Sequence, residues 1–224
     1  MFPSRAVVAT AALLAGTCAQ ASLVGTSEMF ESGASGWDNG PRSGLTWFGS
    51  GSFDGSAYVS TSASFTSNVL LDPVVLFRGE AGASGDAFDG NYLAEGVTGI
   101  SFQVSHDASV PVHMFVRYSV PSFFPGVIIE RFIDIDAGSW QEILIPLTHN
   151  PPDFVLTEEA VGTFPAVMSD VGNIQIGVTV SDDLAGLAGP FTFNLDQVTI
   201  VPAPGVGAAL ALSGAFGLMR RRRI

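Results

Sequence analysis

Short runs in which apolar and polar residues alternate recur along the chain between clusters of Gly, Pro, Ser and Asp. A period of two places every second side chain on one face, so each run reads as a half-buried β-strand and each cluster as a turn. The predicted strands cover residues 23–30, 57–65, 69–77, 99–106, 110–120, 127–136, 141–147, 173–181 and 191–200. One helix is predicted, where Thr157-Glu158-Glu159 supplies a cap and acidic first-turn residues for a short helix reaching towards 171 and broken at Pro165. The chain has no internal repeat and no long helical period. Alternating strands of this number bury their apolar faces most economically as two sheets packed face to face. The expected fold class is therefore all-β, a two-sheet antiparallel β-sandwich (jelly roll) with one short helix.

The segment 110–136 predicts a hairpin in detail. Pro121-Ser122-Phe123-Phe124-Pro125-Gly126 interrupts two alternating runs. If Val120 faces Val127, one face pairs Tyr118 with Ile129, Met114 with Ile133 and Val112 with Ile135, and is apolar enough to belong in the core. The same alternation puts Arg131 on this side beside Val116, where its stem can lie on apolar surface with its guanidinium at the sheet margin. The other face pairs Arg117 with Glu130, Phe115 with Phe132 and His113 with Asp134. Phe115, Phe132, Arg117 and Asp134 are thus candidate ligand-binding residues, since a sugar ring stacks on Phe while Arg and Asp take hydroxyls. The same pairs also suit ordinary cross-strand stabilisation, at about 0.2–1 kcal/mol each.

Charge narrows the partners. Between residues 22 and 200 four arginines, Arg42, Arg78, Arg117 and Arg131, meet all twenty-one carboxylates, a balance more negative than the −12 of the whole chain, and lysine is absent. Such a surface repels nucleic acid and anionic lipid. The single cysteine, Cys18, lies in the first 21 residues, so a chain starting at Ser22 carries neither disulfide nor thiol nucleophile. His106, His113 and His149 fall in unrelated segments, and no Gly-x-Ser-x-Gly elbow occurs in strand-to-helix context. No catalytic constellation is singled out, and the expectation is a non-enzyme. The loop 78–91, rich in Gly, Ala and Ser and carrying Glu80, Asp86 and Asp89, is expected to cover a ligand or hold Ca²⁺ weakly.

The two ends read as addresses. Arg5, the apolar run 6–14 and the small-x-small site Ala19-Gln20-Ala21 form a signal peptide over 1–21, with cleavage after Ala21. The β-sandwich domain then spans 22–200. In 201–224, Val201-Pro202-Ala203-Pro204 precedes an uncharged run 205–219 and Arg220-Arg221-Arg222-Arg223. An apolar helix closed by a basic block is a stop-transfer signal. This order resembles the PEP-CTERM sorting tail, with Ala203 where that family usually carries glutamate. The resemblance implies export machinery and an exosortase-like processing enzyme as partners, with Pro202, Pro204 and Arg220 to Arg223 as the sorting residues and cutting near Pro202. It further implies transient inner-membrane insertion, and then the cell surface or the extracellular, polysaccharide-rich matrix of a Gram-negative bacterium.

Within the body, Phe30-Glu31-Ser32-Gly33 with Gly36-Trp37, and Phe193-Asn194-Leu195-Asp196-Gln197-Val198, resemble the first and last strands of galactose-binding-like, carbohydrate-binding-module jelly rolls. That resemblance implies one structural Ca²⁺ held by Glu31 and Asp196, no other cofactor, and a polysaccharide partner. The expected function is an exported non-catalytic surface or matrix protein. The alternatives are a carbohydrate-binding module that recognises a glycan and a polysaccharide hydrolase with an unrecognised carboxylate pair.

Overall fold

The structure is a computed structural model that describes residues 22–147 and 154–203. Its strands form two sheets, and every strand pairing is antiparallel. The first sheet runs in the order β3 (Thr46–Phe48), β4 (Tyr58–Ala63), β12 (Phe191–Pro202), β6 (Val97–His106) and β9 (Gln141–Pro146), with β1 (Ser27–Glu28) also on β12. The second runs β10 (Phe154–Glu158), β8 (Gly126–Ile135), β7 (Val112–Ser119), β11 (Asn173–Thr179), β5 (Pro73–Gly79) and β2 (Asp38–Asn39). The two pack face to face as the expected antiparallel β-sandwich. Val59, Ile100, Phe102, Val104 and Leu195 of the first sheet join Leu76, Met114, Val116, Tyr118, Ile129, Ile174, Ile176 and Val178 of the second in one core. Burying each such side chain contributes about 1.5–3 kcal/mol.

Strand β11 is buried on both faces. Its inward residues are Ile174, Ile176 and Val178, as alternation predicts. Its outward residues are covered from above, and each polar side chain among them makes a hydrogen bond, although Asn173 Oδ1 is buried without a partner. Asn173 donates from Nδ2 to Val120 O at 2.7 Å, Gln175 from Nε2 to Glu80 Oε1 at 2.9 Å, and Thr179 from Oγ1 to Glu130 Oε2 at 3.2 Å. Gly177 has no side chain because Phe115 lies over it: a Cβ there would meet the Phe115 ring at 2.6 Å and Val74 O at 2.2 Å.

The hairpin β7–β8 departs from the expected register. Val112 faces Ile135 as predicted, but from Met114 to Ser119 the partners run from Arg131 to Gly126, two residues away from the prediction. Phe115 therefore faces Glu130, Arg117 faces Ile128 and Tyr118 faces Val127. Two extra residues of β8 are absorbed in an irregularity between Ile135 and Arg131. A shift of two preserves side-chain parity, so Met114, Val116, Tyr118 and Ile129 keep their core face. Arg131 is half-buried, opposite Met114 on one side and Phe154 on the other.

The predicted helix starts later than expected. Thr157 and Glu158 end β10, and α1 (Thr163–Met168) opens behind Gly162, whose φ of 77° suits glycine. Glu158 still serves the helix, its Oε2 accepting the Thr163 N–H at 2.6 Å. Pro165 sits in the first turn, where its missing N–H costs nothing, and does not break the helix. A second short helix, α2 (Asp182–Ala185), is capped by Ser181, whose Oγ accepts from Leu184 N. Strand β5 begins at Pro73, since 69–72 is a turn with Leu71 at φ 65°. Strand β12 continues past 200 to Pro202, and Ala203 N bonds to Gly96 O at 3.0 Å. His149, Ala19, Ala21, Pro204, Arg220, Arg221, Arg222 and Arg223, with the apolar run 205–219, lie outside the described residues. Among those described, no helix is long and apolar enough to cross a membrane.

Candidate functional site

A row of planar polar side chains crosses the outer face of the second sheet. Gln175 on β11 is in register with Arg117 of β7 on one side and with Arg78 of β5 on the other. Neighbouring strands lie about 4.8 Å apart, so the three heads are delivered side by side. Beyond them, Glu80 follows the end of β5 and gathers the row. Its Oε1 accepts from Arg78 Nη1 at 2.8 Å and from Gln175 at 2.9 Å, while its Oε2 pairs with Arg42 Nη2 at 2.6 Å. Arg42 comes from the turn after β2, where Asn39 Oδ1 accepts the Ser43 N–H at 2.8 Å and Arg42 takes φ 60°. Arg78 also holds this turn, Nε donating to Gly40 O at 2.9 Å.

The opposite wall is the β7–β8 loop. Phe123 carries φ 71°, an uncommon backbone for a bulky residue, and its carbonyl accepts from Arg117 Nη2 at 2.8 Å. Arg117 is in turn paired with Glu159, which follows β10 and also accepts the Gly126 N–H at 2.8 Å. Each ring of the loop has a guanidinium beneath it. Arg42 Cζ is 5.3 Å from the Phe123 centroid and Arg117 Cζ is 5.4 Å from that of Phe124, within cation–π range. Phe124 is 71% exposed.

Arg42, Arg78, Arg117, Phe123, Phe124, Glu159 and Gln175 enclose a groove of about 350 Å³. An open aromatic face beside fixed guanidinium, carboxylate and amide groups is the chemistry of a site for a polar, ring-shaped ligand: the ring stacks and the fork-shaped donors take hydroxyls. A second cavity of about 230 Å³, between β4 and β5, is lined by residues 61–64, Val74, Val75, Leu76, Gly40 and Pro41 and has no charged side chain.

The residues singled out from sequence are divided by the structure. Arg117 lines the groove. Phe115 is fully buried over Gly177 and offers no ring face. Phe132 and Asp134 lie towards the other end of the hairpin around His113, with the Phe132 and His113 rings 5.6 Å apart and His113 Nε2 3.0 Å from Asp134 Oδ1. The four do not form one surface. Phe123, Phe124, Arg42, Gln175 and Glu159 were not expected, although the scarcity of arginine and a Phe-Phe pair held between two prolines both mark the place.

The loop 78–91 divides as well. Glu80 belongs to the groove, while Ser84 is tied down, donating to Glu28 Oε2 at 2.6 Å and accepting from Trp37 Nε1 at 2.9 Å. Asp89 is pushed up to about 6 by burial and by repulsion from Asp86 and Asp170.

Of the two residues that the resemblance assigns to Ca²⁺, Asp196 is fully buried and Glu31 is exposed in the turn after Phe30. Asp196 Oδ2 accepts from Ser56 Oγ at 3.1 Å and Oδ1 from Gln197 N at 2.7 Å, and burial raises its pKa. Among the described residues, no group of three or more His, Cys, Asp or Glu side chains stands ready for a metal.

The opposite sheet shows a separate aromatic cluster. Phe48 and Tyr58 stack at 4.9 Å, and Tyr58 meets Trp140 edge-on at 5.4 Å. Phe48 and Tyr58 are register partners on β3 and β4.

No family profile matches this sequence, and no curated protein sequence matches it. Solved structures do resemble it in fold. An exo-β-agarase aligns over 79% of this chain and 24% of its own at 13% identity and a TM-score of 0.50. The Clostridium thermocellum xylanase 10B CBM22-1–GH10 modules complexed with xylohexaose align over 79% and 28% at 17% identity and a TM-score of 0.48. The family 11 carbohydrate-binding module of Clostridium thermocellum, in complex with a β-1,3-1,4-mixed-linked tetrasaccharide, aligns over 80% and 97% at 16% identity and a TM-score of 0.43. This chain thus spans about a quarter of the length of the two enzymes and nearly all of the isolated module. At these identities the likeness is one of fold, the jelly-roll sandwich.

Proposed function

We propose that this protein is a non-catalytic carbohydrate-binding β-sandwich whose glycan site is the groove between Phe124 and Arg42. The observation that carries the reading is the pairing of a largely exposed Phe124 ring with a row of fixed planar hydrogen-bonding groups, Arg117, Gln175 and Arg78, on the outer sheet face. A pyranose suits this chemistry, with an apolar face for the Phe124 ring and hydroxyls for the polar groups beside it. The tests are calorimetric titrations with xylohexaose, a mixed-linked gluco-tetrasaccharide and a panel of other oligosaccharides. Binding that is lost in Phe124→Ala, with unchanged melting, supports the reading. Turnover of any of these sugars would contradict the non-catalytic part.

The address signals complete the proposal. The signal peptide carries the chain through the export machinery, and the PEP-CTERM-like tail directs it to an exosortase-like enzyme and then to the cell surface or matrix. There the groove would hold the protein to polysaccharide. The Ca²⁺ implied by the resemblance stays a proposal centred on Asp196. A stabilisation by Ca²⁺ that disappears in Asp196→Ala supports it, and identical melting with Ca²⁺ and with chelator removes it.

A further inference from the structure

Positive charge is scarce in this chain and unevenly placed. Of the four arginines between residues 22 and 200, three line the one groove. They converge from three elements: the turn after β2, the end of β5 and the middle of β7. Two carboxylates meet them there. Glu159 is matched one to one with Arg117. Glu80 is shared between Arg42 and Arg78 and takes a third hydrogen bond from Gln175, so one guanidinium charge is in excess around it. Asp38, opposite Arg78 on β2, is the next carboxylate along that row and makes no ion pair with it.

The arginines differ in what they have left to give. Arg78 is turned inward, on Gly40 O and Glu80, with its side chain 20% exposed. Arg117 is committed to Glu159 and Phe123 O, with its side chain 12% exposed. Arg42 engages Glu80 through Nη2 alone, is 54% exposed, and lies beside the aromatic wall. A guanidinium with open N–H groups is a fork for an oxyanion. A body so rich in carboxylates repels an anionic polymer at long range, so a local surplus of positive charge in its glycan groove has a specific use.

Resting on the glycan reading of the groove, we infer that the sugar it takes is acidic, with a carboxylate or sulfate seated on Arg42 while its ring lies against Phe124. The charge partners of the ligand are then the Arg42 N–H groups that Glu80 does not use. Neutral sugars of the same shape lack this contact.

The experiment titrates the protein, in chelator and at physiological salt, with an oligouronate, its methyl ester and a sulfated galacto-oligosaccharide. The expected result is that at least one charged probe binds about tenfold more tightly than the neutral ester, as a charge-assisted bidentate contact should give. Arg42→Gln should erase that advantage, Arg42→Lys should retain part of it, and Phe48→Ala on the opposite sheet should leave it unchanged. The carboxylate and sulfate arms identify the oxyanion. Equal binding of acid and ester, an advantage that persists in Arg42→Gln, or binding of the charged probes only when Ca²⁺ is added, overturns the inference. If neutral oligosaccharides bind through Phe124 regardless of Arg42, the acidic preference falls and the glycan site stands. If no glycan of either kind binds, both fall.

Discussion

Gly126 and Arg117 occupy what would otherwise be the same space: a Cβ built on Gly126 would lie 2.5 Å from Arg117 Nη2 and 2.7 Å from Glu159 Oε1. The absent side chain at the start of β8 lets the Arg117–Glu159 pair cross the strand end and brace the Phe123–Phe124 loop. Gly126→Ala should therefore displace the pair while leaving the strand intact, because the obstructing atoms are the ends of flexible side chains. The expected stability loss is about 1 kcal/mol, the scale of a partly exposed ion pair, with a several-fold loss of glycan affinity. Thermal melting and calorimetry on the same variant check both.

Phe115 and Phe124 are both on the outer side of the second sheet and should behave oppositely. Phe115 is fully buried over Gly177, so Phe115→Ala leaves a cavity and should cost about 3–5 kcal/mol. Phe124→Ala removes an exposed ring and should cost under about 1 kcal/mol yet abolish binding. Chemical denaturation of the two variants separates them. A stable Phe115→Ala protein that has lost glycan affinity would restore the sequence-based platform.

Asp89 makes stability pH-dependent. Its folded pKa is raised from 3.8 to about 6, first by burial and then by Asp86 and Asp170. A raised carboxyl pKa means the folded state holds a proton that the unfolded state has released. The favourable contribution is complete below pH 3.8 and is lost as pH rises through about 6. Asp89→Asn should flatten this part of the profile and melt higher than the parent at neutral pH. Melting temperatures between pH 4 and 8 decide it, and parallel profiles for parent and variant would contradict it.

Processing of the tail, where it occurs, should spare β12. That strand runs to Pro202 in register with Val97, and the Ala203 N–H bonds to Gly96 O. Cutting inside it would strip hydrogen bonds from the sheet-one ladder. Intact-mass analysis of surface material from an exosortase-bearing host should find a C-terminus after Ala203 and no Arg220 to Arg223. A body ending before Val201, or one that keeps the four arginines, would contradict this.

Alternation carried the sandwich but not all of its pairings. A period of two states which face a residue occupies, so Val112, Met114, Tyr118, Ile129 and Ile135 were legible as core. It is blind to a slip of two, because such a slip leaves every face unchanged. That is why the pairing of Phe115 with Phe132 failed while the burial of Met114 held. Strands β2 and β3 are two and three residues long, too short to show any period. Strand β10 was hidden because Thr157-Glu158-Glu159 also fits a helix start, and propensity alone cannot choose between them.

The groove was harder to see because it is assembled across the sheet. Arg78, Arg117 and Gln175 are far apart in sequence and become neighbours only through the order β7-β11-β5. Arg117 was reached because hairpin geometry placed it on the outer face. Arg42 is set by a turn whose left-handed φ follows from the Asn39 side-chain hydrogen bond, a local device that shows its direction only in three dimensions.

The central claim is that the glycan sits against the outer face of the second sheet. Amide chemical-shift mapping during titration with a bound oligosaccharide tests it most directly. The account predicts that the largest shifts fall on Ser43, Gly79, Phe123, Phe124, Gly126 and Gln175, with the side-chain Nε signals of Arg42 and Arg117 moving alongside them. Shifts confined to Phe48, Tyr58 and Trp140 on the opposite sheet, with the groove amides unmoved, would contradict it.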